Sequence, residues 1–232
     1  MIISASRRTD IPSYYSDWFF RRLEAGFVCT RNPMNPKQVS RISLSPDVVD
    51  GIVFWTKNPT PMLDKLHLLN GYPFYFQFTL NAYGKDLEAG IPSKNDVIIP
   101  AFQKLSQQIS PERIIWRYDP IIITSKYTTE YHVHYFEGLA KRLSGHTQKC
   151  VISFVDLYRH LCKQFTPLGE SEIYELAGRF SEIARKYNLT LETCAEAIDL
   201  SRFGIGHGHC IDGELLERII GQPLSLSKDK NQ

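Results

Sequence analysis

Short apolar runs alternate along the chain with longer stretches of mixed composition. The short runs are rich in Ile, Val, Phe, Tyr and Trp and are bounded by Pro, Gly, Asn or Asp, a pattern that predicts β-strands. Eight strands are predicted in this way: Ile2–Ser6, Phe27–Thr30, Val39–Leu44, Gly51–Thr56, Phe74–Thr79, Arg113–Tyr118, Cys150–Phe154 and Thr190–Cys194.

Between the predicted strands, apolar residues recur at three- and four-residue spacing, which is typical of helices with one buried face. In the longest stretch Ile173, Leu176 and Phe180 fall on one face, and Glu172 and Arg179 fall opposite. The predicted helices are Tyr14–Ala25, Pro61–Leu69, Asp96–Ile109, Thr128–Leu143, Glu170–Tyr187 and Asp212–Ile220.

Alternation of strands and helices over the whole length implies parallel strands joined by right-handed crossovers, and therefore an α/β fold. We predict a TIM-like (β/α) barrel, which need not be regular or complete, because seven or eight strands in 232 residues approach the about 250 residues of such barrels. The turn sequence Arg31–Pro36 predicts a β-hairpin near residues 27–44 in place of one helix. With no linker, repeat or composition break, residues 1–232 are predicted to form a single domain.

Composition narrows the class of protein. The formal charge of +2 excludes a polybasic nucleic-acid coat protein, and a nucleic-acid partner is not favoured. Since no apolar run approaches the about 20 residues that span a bilayer, and the N-terminus does not resemble a signal peptide, the sequence predicts a cytoplasmic protein with no membrane partner. The oligomeric state is left open. The five cysteines form no CxxC motif, so no compact segment of these residues can build a zinc ribbon or an iron–sulfur loop.

Polar residues follow the predicted strands, and in a barrel these positions meet at one mouth. Any one of them alone could be a solvated loop residue or a helix cap, most readily Asp10 and Asp156. Their recurrence predicts a shared site. The strand ends supply Ser6, Arg7, Arg8, Asp10, Lys57, Asn58, Gln77, Thr79, Arg117, Asp119, Ser153, Asp156, Glu192, Cys194 and Glu196.

A mouth that mixes cations and carboxylates suits an anionic or zwitterionic small molecule, because guanidinium groups grip carboxylate or phosphate. Asp119, Glu192 and Lys57 are the candidate catalytic residues, and the other polar strand-end residues are candidates for binding substrate or cofactor. A carboxylate facing such a mouth can bind ribose hydroxyls or act as a general base, and the residues alone do not decide between these roles.

A glycine-rich segment, Gly204–Asp212, carries two histidines and a cysteine near the end of the chain. Together with Cys194, the side chains of His207, His209 and Cys210 offer four donors for a soft metal ion, and Cys194, His207 and Cys210 are the metal candidates. The spacing matches no standard metal motif, so the alternative that the glycines form the turn before the last helix stays open.

Long motifs of the chain resemble, nearly end to end, a family known as domain of unknown function 1848. The motifs are SASRRTDIPSYYSDWF, RNPMNPKQVSRISLSPDVVDGIVFWTKNP, FQFTLNAYGKDLE, PERIIWRYDPI, KCVISFVDLYR and LETCAEAIDLSRFGIGHGHCID. The resemblance implies a bacterial or archaeal protein related to radical S-adenosylmethionine enzymes. Members of that family usually continue, past the segment that matches the end of this sequence, into a cysteine-rich tail.

The resemblance therefore implies a [4Fe–4S] cluster and S-adenosylmethionine as cofactors of the full-length protein, with the cluster-binding tail absent from this chain. In that class the cofactors carry the radical chemistry and the barrel orients the substrate. Two alternatives remain at this stage. One is a metal-dependent barrel hydrolase or isomerase that uses Asp119, Glu192, His207 and His209. The other is a non-catalytic small-molecule-binding module that serves a separate iron–sulfur protein.

Overall fold

The computed structural model describes residues 1–6, 9–155, 168–194, 196 and 198–224. In chain order the strands are β1 (Ile2–Ala5), β2 (Phe27–Arg31), β3 (Val39–Ser43), β4 (Gly51–Thr56), β5 (Phe74–Thr79), β6 (Ile114–Ile121), β7 (Lys149–Phe154), β8 (Thr190–Cys194) and β9 (Gly206–Gly208). Seven of them form one sheet in the order β1-β4-β5-β6-β7-β8-β9, and every neighbouring pair is parallel.

Helical segments lie between the strands, in the order that the hydrophobic pattern predicts. They are α1 (Ile11–Tyr14), α2 (Ser16–Glu24), α3 (Ile99–Ile109), α4 (Thr129–Leu143), α5 (Glu170–Lys186) and α6 (Gly213–Ile220), with 3-10 helices at Thr60–Leu69, Pro111–Arg113 and Ser201–Phe203 and a π-helical turn at Lys94–Ile98. The helix predicted over Tyr14–Ala25 corresponds to α2, and α1 is a separate helical turn before it that the prediction omits, because the backbone leaves the helical conformation at Tyr15.

The α/β class with a parallel sheet is confirmed, and the strand order follows the chain order as it does in a barrel. Closure of the barrel is not observed, since no ladder joins β1 to β9 within the residues that the structure describes. The hairpin predicted near residues 27–44 is confirmed as the antiparallel pair β2–β3, which stands apart from the main sheet.

The predicted strands omit β9, whose sequence is only Gly-His-Gly. A Cβ atom added at Gly208 would lie 2.7 Å from Glu192 Oε2 and 2.9 Å from the carbonyl oxygen of Thr193. The glycine therefore permits a close approach of two strands at the sheet edge. In the sequence, the glycines of this segment had suggested a turn.

The two faces of the sheet bury different sets of side chains. Outward-facing residues such as Phe54, Phe76 and Trp116 belong to the large core shared with the helices. The opposite face, which we call the inner face, packs residues including Tyr75 against Leu216 of α6, and these belong to a separate, smaller cluster. The covering segment at residues 210–224 thus lies on the face that would be the interior of a barrel.

Among the residues that the structure describes, none of the helices combines the length and the apolar character of a transmembrane segment.

His132 is a fully buried titratable group in the outer core, and its two ring nitrogens are both satisfied. Nε2–H donates to the carbonyl oxygen of Ile122 at 3.0 Å, and in the neutral ring Nδ1 accepts the hydroxyl of Tyr118 at 2.7 Å. A neutral ring with its proton on Nε2 satisfies both partners. Burial accordingly lowers the pKa of His132 below its ordinary value of 6.5.

The lowered pKa predicts a loss of stability in mild acid. Above pH 6.5 the ring is neutral in both the folded and the unfolded protein. Below pH 6.5 the unfolded chain binds a proton while the folded protein does not. The free energy of unfolding is therefore expected to fall by up to about 1.4 kcal/mol per pH unit, until the pH reaches the pKa of His132 in the folded protein. Urea titrations between pH 7.5 and pH 5 should give a smaller pH dependence for His132→Gln than for wild type. Should that variant not fold, the ring resonances of His132 in the wild-type protein serve instead, and a shift centred near pH 6.5 would contradict the prediction.

Candidate functional site

Side chains from five neighbouring strands meet on the inner face near the carboxyl ends of the strands. Because side chains alternate along a strand, Arg117 and Asp119 of β6 point inward while Trp116 and Tyr118 point to the outer core. The same alternation directs Trp55 and Gln77 inward. We call the resulting group the inner cluster, and its members are Trp55, Gln77, Arg117, Asp119, Ser153, Cys194 and Cys210.

Arg117 is the centre of the inner cluster, and only 5% of its surface is exposed. Its Nε donates to Asp119 Oδ2 at 2.8 Å, Nη2 donates to the same oxygen, and Nη1 lies 3.4 Å from Gln77 Oε1. The guanidinium sits 4.9 Å from the ring centre of Trp55. Burial opposes its charge, but the Asp119 carboxylate and the Cys194 sulfur more than offset this effect, so the pKa of Arg117 is raised.

Asp119 is held on three sides. Asn81 accepts its backbone N–H at 2.8 Å and donates to its carbonyl oxygen at 2.9 Å. The Ser153 hydroxyl donates to Oδ1, the oxygen that Arg117 leaves free. The carboxylate side chain still keeps 20% of its surface exposed, so it is both fixed in direction and reachable from solvent.

Cys194 lies beside the buried guanidinium, and Cys210 lies beside Cys194. The Sγ atoms of Cys194 and Cys210 are 3.5 Å apart, and Gln77 Nε2 donates to the carbonyl oxygen of Cys210 at 3.2 Å. Burial raises the pKa of Cys194 to about 11, against the opposing influence of Arg117. Both thiols are free.

A second group of charges lies beside the inner cluster on the same face. Lys149 Nζ is 2.6 Å from Glu192 Oε1 and 2.7 Å from Asp212 Oδ2. The two carboxylates outweigh the effect of burial and raise the pKa of Lys149. Glu192 is therefore engaged with a cation. Lys149 was not among the sequence candidates, because it lies at the amino end of β7.

Asp10 is a helix cap, as its sequence context suggested. Its Oδ1 accepts the backbone N–H of Ser13 at 2.9 Å at the start of α1. Its Oδ2 accepts the N–H of Lys57 at 2.7 Å and the hydroxyl of Thr56 at 3.1 Å. The carboxylate joins the end of β4 to α1, so its hydrogen bonds are structural.

Lys57 and Asn58 are also engaged away from the inner cluster. Lys57 Nζ is 2.6 Å from Glu88 Oε1, while Lys94 Nζ is 2.5 Å from Glu88 Oε2. Asn58 Oδ1 accepts the N–H and the hydroxyl of Thr60. No described contact joins the candidate catalytic residue Lys57 to Asp119 or Glu192.

Three further candidates lie at or shortly after the ends of strands. Ser6 Oγ accepts the N–H of Ile11 at 3.1 Å, and Glu196 Oε1 accepts the N–H of Phe154 at 2.7 Å. Thr79 is half-buried and is the register partner of Arg117, at the rim of the inner cluster. Arg7, Arg8 and Asp156 lie outside the residues that the structure describes.

The predicted metal group of Cys194, His207 and Cys210 is not assembled. His207 pairs in register with Thr193, and its Nδ1 lies 3.3 Å from the Thr193 hydroxyl. The next residue, Cys194, points to the opposite face because successive side chains alternate. In the described part of the chain no three His, Cys, Asp or Glu side chains are placed to hold a metal ion, and His209 is exposed.

Comparisons with known proteins match a family model and, among solved structures, distant neighbours. The sequence model of a family described as "Domain of unknown function (DUF1848)" matches residues 2–232. No curated protein matches the chain. A crystal structure described as a "putative alpha-L-fucosidase" from Bacteroides thetaiotaomicron VPI-5482 aligns over 95% of this chain and 94% of that chain, at 11% identity and a TM-score of 0.41. At that score the neighbour supports no inference about the fold or the activity.

Proposed function

Since the chain belongs to the DUF1848 family, we propose its function from the inner cluster: the protein is the small-molecule-binding barrel of a radical S-adenosylmethionine-type enzyme. The observation that carries this proposal is the convergence of an indole, a fixed carboxylate and two thiols around one buried guanidinium. An incompletely closed (β/α) barrel is the proposed architecture. It is supported by a parallel strand order that follows the chain and by helices packed on the outer face.

The inner cluster has the chemistry to hold a molecule that combines a planar ring with hydroxyl or amino groups. Trp55 is half-buried, and its indole offers apolar area for a ring. Asp119 offers carboxylate oxygens as hydrogen-bond acceptors, and its direction is set by Arg117 and Ser153. S-adenosylmethionine, the ligand that the family resemblance implies, carries an adenine ring, ribose hydroxyls and an amino group.

The internal pairing of charges changes the ligand that is expected. Arg117 is neutralised by Asp119, and Lys57 is neutralised by Glu88. Neither cation is therefore free to grip a phosphate or carboxylate without first giving up its partner. The described residues favour a ligand that is neutral or cationic where it meets Asp119.

The described residues do not fit an iron–sulfur cluster by themselves. A [4Fe–4S] cluster is typically held by four cysteine thiolates. In the described ranges only Cys194 and Cys210 lie together, whereas Cys29 is exposed on the hairpin and Cys150 is buried in the outer core. The role assigned to this part of the chain is therefore to bind and orient the small molecule.

A metal-dependent hydrolase is not favoured by the donor set. Asp119 is paired with Arg117 and Glu192 with Lys149, so a divalent ion would have to displace a cation from each carboxylate. His207 lies on the other face from Cys194. A non-catalytic binding module would use the same inner cluster and would differ only by lacking turnover.

Ligand binding by the inner cluster can be tested by isothermal titration calorimetry of the full chain with S-adenosylmethionine. Asp119→Asn keeps the shape of the side chain but removes its charge. We expect it to weaken binding by about 10- to 100-fold, because a hydrogen bond to a charged group contributes about 1.5–3 kcal/mol. Asp64→Asn, at an exposed carboxylate that pairs with Lys104, is the matched control and should bind as wild type does.

Folding of each variant is checked by circular dichroism. Trp55→Leu provides a second test that leaves the Arg117–Asp119 pair in place, and it should weaken binding by about 5- to 100-fold through lost stacking. Wild-type protein that binds neither S-adenosylmethionine nor S-adenosylhomocysteine would overturn the proposed ligand class. Equal affinity in Asp119→Asn and Trp55→Leu would overturn the placement of the site.

A further inference from the structure

The two thiols of the inner cluster have a geometry that ligand binding does not explain. Cys194 ends β8 and Cys210 follows β9, and their Sγ atoms are 3.5 Å apart although sixteen positions separate them in sequence. A disulfide bond measures about 2.05 Å, so closure requires a movement of about 1.5 Å. The strand register helps, because Gly208 pairs with Cys194 and leaves Cys210 two residues further along.

We propose that Cys194 and Cys210 form a redox-active dithiol, which a small-molecule disulfide oxidises to an internal disulfide bond. Cys210 is half-buried and reachable, whereas Cys194 is 8% exposed and sits behind it. Cys210 therefore meets the external disulfide first. Cys194 then completes the reaction from within the fold.

The chemistry balances in two exchange steps. The Cys210 thiolate attacks one sulfur of an external disulfide R–S–S–R, forms a mixed disulfide and releases one thiolate, which takes up a proton. The Cys194 thiolate then attacks the Cys210 sulfur and releases the second thiol. The protein loses two electrons and two protons to the external disulfide, which leaves as two R–SH molecules. Burial raises the pKa of Cys194 to about 11 although the adjacent Arg117 guanidinium opposes this effect, so the second exchange step should become faster as the pH rises.

The consequence lies in the segment that covers the inner face. Cys210 begins that segment, and its carbonyl oxygen accepts a hydrogen bond from Gln77. Two residues further, the Asp212 N–H donates to the Tyr75 hydroxyl at 2.8 Å, and Leu216 packs over Gly51. A covalent bond from Cys210 to β8 would fix this covering segment to the sheet. We call the thiol pair a latch, because its disulfide would join β8 covalently to the segment at residues 210–224.

The other cysteines provide the controls. Cys29 is exposed and Cys150 is fully buried, with burial raising the pKa of Cys150 well above its ordinary value. Cys162 lies outside the described residues. A Cys29→Ser/Cys162→Ser background therefore leaves Cys150, Cys194 and Cys210 as the cysteines, of which Cys150 is inaccessible.

The test is oxidation of that background with oxidised glutathione, followed by intact mass and peptide mapping. We expect the loss of two hydrogen atoms, a cross-linked peptide containing Cys194 and Cys210, and full reversal by dithiothreitol. The Tm should rise by on the order of 5–10 °C, because the bond constrains the unfolded chain. With Cys194→Ser added, the reaction should stop at a glutathione adduct on Cys210.

Persistent glutathione adducts in the background protein, or a cross-link between two molecules in place of the internal bond, would overturn the proposal. So would an unreactive thiol pair in folded protein under conditions that oxidise the urea-unfolded chain. If the Cys194→Ser variant does not fold, maleimide labelling of the free thiols in the background protein replaces the experiment with that variant. Oxidation should then protect two thiols together, and protection of only one would contradict the latch. None of these readouts requires a ligand, so failure here is distinguishable from failure of the proposed binding function.

Discussion

Replacing Arg117 with methionine is expected to destabilise the protein by about 3–5 kcal/mol, which is a large part of the stability of an ordinary domain. The change leaves the Asp119 carboxylate without its cation in a site where Arg117 is only 5% exposed. It also removes the group that contacts Gln77 and Trp55. Urea unfolding followed by circular dichroism measures the loss.

A double-mutant cycle separates the ion pair from packing. Arg117→Met combined with Asp119→Asn leaves neither charge unpaired, so it should recover about 1 kcal/mol or more relative to the single change. Arg179→Met is the control, because its pairs with Glu130 and Glu175 are at the surface and should contribute about 1 kcal/mol or less. A loss for Arg117→Met no larger than that of Arg179→Met would mean that the inner cluster is not organised around Arg117.

The second large effect is expected in the outer core, where Phe136 of α4 joins the sheet to α5. Its ring stacks on Phe180 at 4.1 Å and on Trp116 at 4.9 Å, and it meets Tyr118 edge-on at 5.2 Å. Phe136→Ala should cost about 3–5 kcal/mol, because the fully buried ring leaves a cavity between three elements. The urea midpoint should fall while the dependence of free energy on urea is unchanged.

Tyr135 provides a matched control on the same helix. It is 45% exposed and contacts Tyr131 and His134 at the surface, so Tyr135→Ala should cost about 1 kcal/mol or less. Similar losses of stability for the two variants would show that α4 is stabilised mainly by the helix propensity of its residues and not by its packing on β6 and α5.

Much of the fold follows from local patterns, and the inner-cluster residues of β6 show why. Successive side chains of the run Ile114–Asp119 point to opposite faces of the sheet. Once the strand is identified, its polar residues Arg117 and Asp119 must therefore share one face. Asp10 could be identified as a cap because N-caps have a local signature. The same reasoning failed at β9, where close strand approach and a loop both require glycine.

The pairing of charges could not be predicted from the sequence. Glu88 lies in the segment between β5 and α3, and only the fold brings it to Lys57 and Lys94. Lys149 lies at the amino end of its strand. It forms an ion pair with Asp212 only because the segment that carries Asp212 packs on the inner face of the sheet. Asn81, which holds the backbone of Asp119, comes two residues after the end of β5 and could have been found by extending the search past strand ends.

The three tryptophans allow one direct measurement of where a ligand binds. Trp55 belongs to the inner cluster, Trp18 is exposed on α2, and Trp116 is buried in the outer core. Their indole N–H resonances can be assigned with Trp→Phe variants and followed during titration with S-adenosylmethionine. The account predicts a saturable shift at Trp55, with Trp18 and Trp116 unchanged. A shift centred on Trp18, or no shift at any of the three at saturating ligand, would contradict it.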